Sequence, residues 1–238
     1  GVRNGRELDN RGDVGGYGAK RSEPSPEDYD QRSFLLKLQQ RVDGAHLFGL
    51  TGEYFKRNAD IDNKWEQGPG TSYLIGENST RKETERERVS FDYTYTAPDS
   101  GSLIDTAHAV VYWQRVRLDN SLTGIRGVDS RARIIPGDPF RYGFPNGPYG
   151  RSNSIQQTLF GASTELTKRI AGASVSQLWS FGGEWYGNKT EQNSSGHDNC
   201  PVIRPGMPAP FGPRACDMLH TNQADVPQSK GDQWALWV

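Results

Sequence analysis

Polar and apolar residues alternate strictly from Arg88 to Thr96: Val89, Phe91, Tyr93 and Tyr95 fall on one side, and Arg88, Ser90, Asp92, Thr94 and Thr96 on the other. Successive side chains of an extended strand point to opposite faces, so this pattern predicts a strand with one apolar face. Leu178 to Trp185 repeats it, with Trp179, Phe181, Gly183 and Trp185 facing one way, and so does Phe34 to Val42, with Leu36 and Leu38 opposite Lys37, Gln39 and Arg41. Looser alternation covers His46 to Arg57, Ala107 to Arg117, Ser154 to Lys168 and Gln233 to Val238. Together these predict seven strands and no helix.

The connections alternate in length. Asp43-Gly44 is a tight-turn signal, Ala97-Pro98-Asp99-Ser100-Gly101 a short turn, and Ala171-Gly172-Ala173 another. Between them lie long polar stretches, from about Asn58 to Thr84, Leu118 to Asn153 and Glu191 to Lys230. Such long connections are uncommon in compact soluble domains, but outer-membrane barrels combine short periplasmic turns with long extracellular loops. The expected fold is therefore all-β, a segment of an antiparallel transmembrane β-barrel. Tyr54, Phe55, Tyr112, Trp113, Trp179, Trp185 and Tyr186 stand where aromatic girdles are expected.

Composition sharpens this picture in two respects. Only 33% of the 238 residues are hydrophobic, too few for a large two-sided core, and no apolar run is long enough for a transmembrane helix. The 28 basic and 29 acidic residues leave a net charge of −1, so no global field points to nucleic acid. Seven strands do not close an even-numbered barrel, the chain opens without an initiator Met or a leader, and its last residues stop inside an apolar alternation. The expectation is a fragment.

Cys200 and Cys216 are separated by fifteen residues in a stretch rich in Pro and Gly, with no zinc-ligand spacing. A disulfide closing a long loop is expected, which implies an oxidising, extracytoplasmic setting; two free thiols are the alternative. No phosphate-binding loop, nucleophile elbow or metalloprotease helix occurs, and the carboxylates are scattered. No enzyme, metal site or catalytic cofactor is expected. Asn78-Ser79-Thr80 and two later tripeptides fit the glycosylation pattern and are assigned no role.

Specific stretches then resemble a known group. Tyr112-Trp113-Gln114-Arg115 with the loop around Pro136-Gly137-Asp138-Pro139-Phe140, the run Phe181 to Glu191, and the cysteine-bearing stretch from Asp198 through His220 to Pro227 resemble the barrel of TonB-dependent haem and haemoglobin receptors. The resemblance spans roughly Leu47 to Val238. It implies a barrel of about 22 strands in the bacterial outer membrane, with residues 1–238 as a mid-barrel part of that one domain. The plug and the C-terminal strands would lie outside the chain. It also implies outer-membrane lipid as surroundings, haem or a haemoprotein as ligand, haem as transported cargo, and the TonB system as partner through the plug.

Haem iron takes His or Tyr as axial ligand, and the porphyrin takes aromatic or apolar walls. His46 and His108 sit beside short turns, on the periplasmic side of the expected barrel. His197 and His220 flank the cysteine pair, whose disulfide would hold them near one another, so they are the leading haem candidates. Tyr142 and Tyr149, in a loop rich in Pro and Gly, are weaker ones, and that loop also suits a protein contact. Two rival expectations are a TonB-dependent receptor for a ferric siderophore or other nutrient, and a soluble secreted β-sandwich that binds a ligand.

Overall fold

The computed structural model describes residues 1–6, 14–99, 101–127, 147–172, 174–198 and 228–238. They form one antiparallel sheet of eight strands in chain order, β1 (Val2–Arg6), β2 (Glu27–Val42), β3 (His46–Asp62), β4 (Tyr73–Thr96), β5 (Thr106–Arg126), β6 (Gly147–Ala171), β7 (Ser176–Asp198) and β8 (Ser229–Trp237). The sheet is open, and the only helical element among the described residues is a 3-10 turn at Lys64–Glu66. All seven expected strands are present within β2 to β8. The eighth, β1, lies in the first thirty residues, where the composition reads as loop. Its residues Val2-Arg3-Asn4-Gly5-Arg6 carry no apolar alternation and are held by their ladder to Asp28–Arg32.

The register sorts the side chains into two faces. On the first, Leu38, Leu50, Phe91, Val111, Ala162, Trp185 and Trp234 form one row across seven strands. Flanking rows add Leu36, Val89, Trp113 and Phe160 on one side, and Phe48, Tyr93, Ala109, Thr164, Gly183 and Leu236 on the other. Between these rows, the second face carries Gln39, Asp92, Ser163 and Glu184, and then Lys37, Ser90, Tyr112 and Gln233. One face is thus an apolar band and its reverse is polar.

The band is uncovered. Among the described residues the one buried hydrophobic is Ala59, whereas Leu38, Phe91, Val111 and Trp185 are all more than 40% exposed. Among the described residues no second sheet packs on it, so the described strands do not form the two-layer core of a β-sandwich. Aromatic rings on this face instead contact each other within the layer: Phe48 lies 5.1 Å from Tyr93 and 6.3 Å from Phe91, and Trp179 lies 6.2 Å from Phe181.

Beyond the band the strands continue. β6 has 25 residues, about 80 Å of extended chain, far more than the band itself occupies. Much of each long polar stretch is therefore strand, and the β3–β4 connection shrinks to residues 63–72. In this zone charge replaces hydrophobicity across the ladder: Lys56 donates to Glu83 at 2.6 Å, Arg115 pairs with Glu87 at 2.8 Å and Arg86 with Glu53 at 3.3 Å. Exposed pairs of this kind contribute little stability each, but they keep both faces compatible with water.

The expected girdle splits by parity. Tyr54, Trp113, Trp179 and Trp185 stand on the first face; Phe55, Tyr112 and Tyr186 are their sequence neighbours and point to the second. A one-residue step in a strand changes face, so an aromatic pair cannot sit on one side.

At one end of the sheet all connections are short. Val42 pairs with His46 across Asp43-Gly44-Ala45, with Asp43 and Gly44 at φ 51° and 68°, the left-handed geometry that a tight hairpin demands and that Asp and Gly tolerate. The β4–β5 turn is clamped by Asp105, which accepts from Lys168 Nζ at 2.8 Å and from the Arg169 backbone N–H at 2.6 Å. The Lys168 contact, then the Arg169 N–H, hold the Asp105 carboxyl below its ordinary value.

Candidate functional site

The tips of β4 to β7 border an open depression of about 240 Å³ lined by Asn78, Ser79, Thr123, Ile125, Tyr149 and His197, among others. Two of the four expected haem candidates thus line one depression. Tyr142 and His220, and Cys200 and Cys216 with their expected disulfide, lie outside the described residues.

His197 is not a loop residue. It occupies the last turn-like stretch of β7, Ser194-Ser195-Gly196-His197-Asp198, and pairs directly with Gly150 of β6. Its ring lies over that glycine: a Cβ at position 150 would stand 2.3 Å from His197 Cε1. The absence of a side chain at Gly150 is what makes room for the imidazole. Gly150 in turn pairs with Thr123 on β5, so the ring sits on the first face among Thr123 and Ser79.

Tyr149 is one residue before Gly150 in an unbroken ladder and therefore points to the second face. There the Arg126 guanidinium lies 3.7 Å from its ring centroid, and the Tyr73 ring 6.2 Å away. Arg126 is buried, and it also hydrogen-bonds the Tyr73 phenol. Burial pushes Tyr73 above its ordinary value, and the Arg126 contact pulls part of that shift back. The two candidates thus border the same depression at the strand tips, with their side chains leaving the sheet on opposite faces. His197 is the exposed one of the two candidates, and Tyr149 packs on Arg126.

The rim of the depression on β4 is fixed by a polar knot. Gln67 is fully buried; its Nε2 donates to Asp62 Oδ1 at 2.6 Å and to the Asn78 carbonyl at 2.8 Å, and its Oε1 accepts from the Gly76 N–H at 2.6 Å. Asn63 donates to Thr80 Oγ1 at 2.7 Å, and Asn78 Nδ2 donates to Glu66 Oε2 at 2.8 Å. Asn78 is only 2% exposed, which removes it as a glycosylation acceptor. Glycines 68, 70 and 76 have φ between 80° and 88°, the left-handed region, and let the chain fold back over Gln67. In sequence, Gly68-Pro69-Gly70 announces the turn, but nothing announces Gln67.

The other two histidines sit at the opposite end. His46 Nδ1 lies 2.8 Å from the Tyr93 hydroxyl beside the short β2–β3 turn, and His108 faces Glu165 across the ladder near the start of β5. Neither reaches the depression. Among the described residues no cluster of His, Cys, Asp and Glu is arranged to hold a metal, and no helix is long and apolar enough to cross a membrane. That last observation has no bearing on strands. No family model and no curated protein matches this chain.

Proposed function

We propose that this chain is a section of the wall of an outer-membrane β-barrel receptor of the TonB-dependent type, taking up haem. The observation that carries the membrane reading is the seven-strand apolar row from Leu38 to Trp234, uncovered on the first face and backed by charged and hydroxyl side chains on the second. A bilayer is the surroundings that satisfies such a sheet, because lipid covers one face while water or protein meets the other. The band covers about nine residues of strand, Phe34 to Val42 on β2, which is what a tilted strand needs to cross. Short turns at one end and much longer strands at the other give the periplasmic and extracellular sides of the proposed barrel. Bacterial outer-membrane lipid, the haem or haemoprotein ligand and the TonB system are the partners of this reading.

Haem as cargo rests on the resemblance of residues 47–238 and on His197, which stands at the extracellular tips with its ring exposed beside the depression. At about 240 Å³ that depression is smaller than the roughly 300–1,000 Å³ typical of an enclosing ligand site. His197 would therefore supply one axial ligand to a porphyrin held mainly by other loops. The test is haem titration of the full-length protein in detergent, following the Soret band, with His197→Ala and His220→Ala made singly. A Soret shift weakened by either change supports haem capture. A native protein that gives no shift removes haem as the ligand and leaves a siderophore or another nutrient as cargo.

A further inference from the structure

The rungs that carry His197 are poor strand by composition. β6 opens with Gly147-Pro148-Tyr149-Gly150, which pairs with Arg126 to Thr123 on β5, while Tyr149 and Gly150 also pair with Asp198 and His197 on β7. Pro148 has no N–H to give to a ladder, Gly147 stands at φ 111°, and glycine brings backbone freedom with no side chain to pack. Of the four, Tyr149 is the one long side chain by which neighbouring strands can hold this end of β6.

It is held from two strands. Arg126 of β5 is 8% exposed, and its guanidinium lies 3.7 Å from the Tyr149 ring centroid. The same side chain hydrogen-bonds the Tyr73 phenol of β4. The Tyr73 ring in turn covers Gly124, where a Cβ would stand 2.8 Å from its Cδ1, and Gly124 is the direct partner of Tyr149. Tyr73, Arg126 and Tyr149 thus tie three strands together on the second face. One residue on, Gly150 is buried, and on the first face the His197 ring rests where its side chain would be.

We propose that Arg126 and Tyr149 are positioning residues for His197: stacked on the second face, they fix the backbone of Gly150 and with it the seat of the imidazole on the first. Tyr149 acts through its ring and not as a phenolate on iron. This rests on the reading of His197 as a haem ligand and extends it to the residues that hold the imidazole in place.

The test is haem titration of the full-length protein in detergent, together with hydrogen exchange of residues 194–197, on Tyr149→Leu, Tyr149→Phe and Arg126→Gln. Tyr149→Leu and Arg126→Gln each remove the stack, and each should weaken haem binding about 10-fold and speed exchange at Gly196 and His197. Tyr149→Phe keeps a ring beneath the guanidinium and should restore both, with the Soret maximum of the complex at its native wavelength. A Phe variant as weak as the Leu variant, or a displaced Soret maximum, makes the phenol itself the ligand and overturns the proposal. Native affinity in both Tyr149→Leu and Arg126→Gln also overturns it and leaves haem capture standing. A native protein that gives no Soret shift overturns the haem reading instead. Exchange then decides on the clamp, which is overturned if Tyr149→Leu and Arg126→Gln exchange as the native protein does.

Discussion

The His197 imidazole occupies the space that a side chain at Gly150 would need, directly across the β6–β7 ladder. Position 150 is therefore a switch for the orientation of the one exposed candidate ligand in the described depression. Gly150→Val suits an extended strand, since a β-branched residue favours it, but its Cβ would displace the ring. The expected outcome is a stability change within about 1 kcal/mol and a haem response as weak as that of His197→Ala. An unchanged Soret response in Gly150→Val would show that the ring position is irrelevant to capture.

Gln67 is the most buried side chain of the β3–β4 tip and satisfies three partners at once. Gln67→Ala leaves the Gly76 N–H and the Asp62 carboxylate without it, at a cost of about 2–3 kcal/mol. That cost should appear locally. Hydrogen exchange of residues 63–78 is expected to accelerate, whereas β5 and β6 keep their protection.

Ala162 and Ser163 are neighbours on β6 that face opposite sides. An arginine at 162 would enter the apolar row, and one at 163 would join Asp92 and Glu184 on the polar face. In lipid, Ala162→Arg should cost about 2–4 kcal/mol and Ser163→Arg no more than about 1, measured by denaturant titration of the full-length protein folded into bilayers. Equal costs would remove the distinction between the two faces.

The Asp105 clamp gives a pH dependence of definite sign. Its folded carboxyl is held below 3.8 by Lys168 and by the Arg169 N–H. The clamp's contribution is therefore present above the unfolded value and is lost as pH falls through the lowered folded one. Exchange at residues 97–105 should stay slow down to about pH 4 and rise below it. In Asp105→Asn the acid-dependent rise should vanish. A rise that persists in that variant would assign it to another group.

Seven of the eight strands are legible in the sequence wherever the chain passes through the band, because only there does one face exclude polar atoms, as Val89, Phe91, Tyr93 and Tyr95 do. Above it, Lys82-Glu83-Thr84-Glu85-Arg86-Glu87 is strand as well, but both of its faces meet water, so charge alternates and hydrophobicity carries no period. The same reasoning hid the strand position of His197, since Ser194-Ser195-Gly196 reads as turn and is extended only through its ladder to Ser152, Arg151 and Gly150. The Arg126–Tyr149–Tyr73 cluster joins residues of three strands and has no local signal. Its existence depends on a register that the sequence leaves open.

The central claim is that the first face of this sheet meets lipid. It is tested most directly by single-cysteine spin labels at each position from Val89 to Thr96 in the full-length protein in bilayers, reading collisions with oxygen and with a water-soluble nickel chelate. The account predicts a period of two, with oxygen maxima at Val89, Phe91, Tyr93 and Tyr95 and nickel maxima at Ser90, Asp92 and Thr94. Oxygen accessibility without alternation, or with its maxima on the even positions, would contradict it.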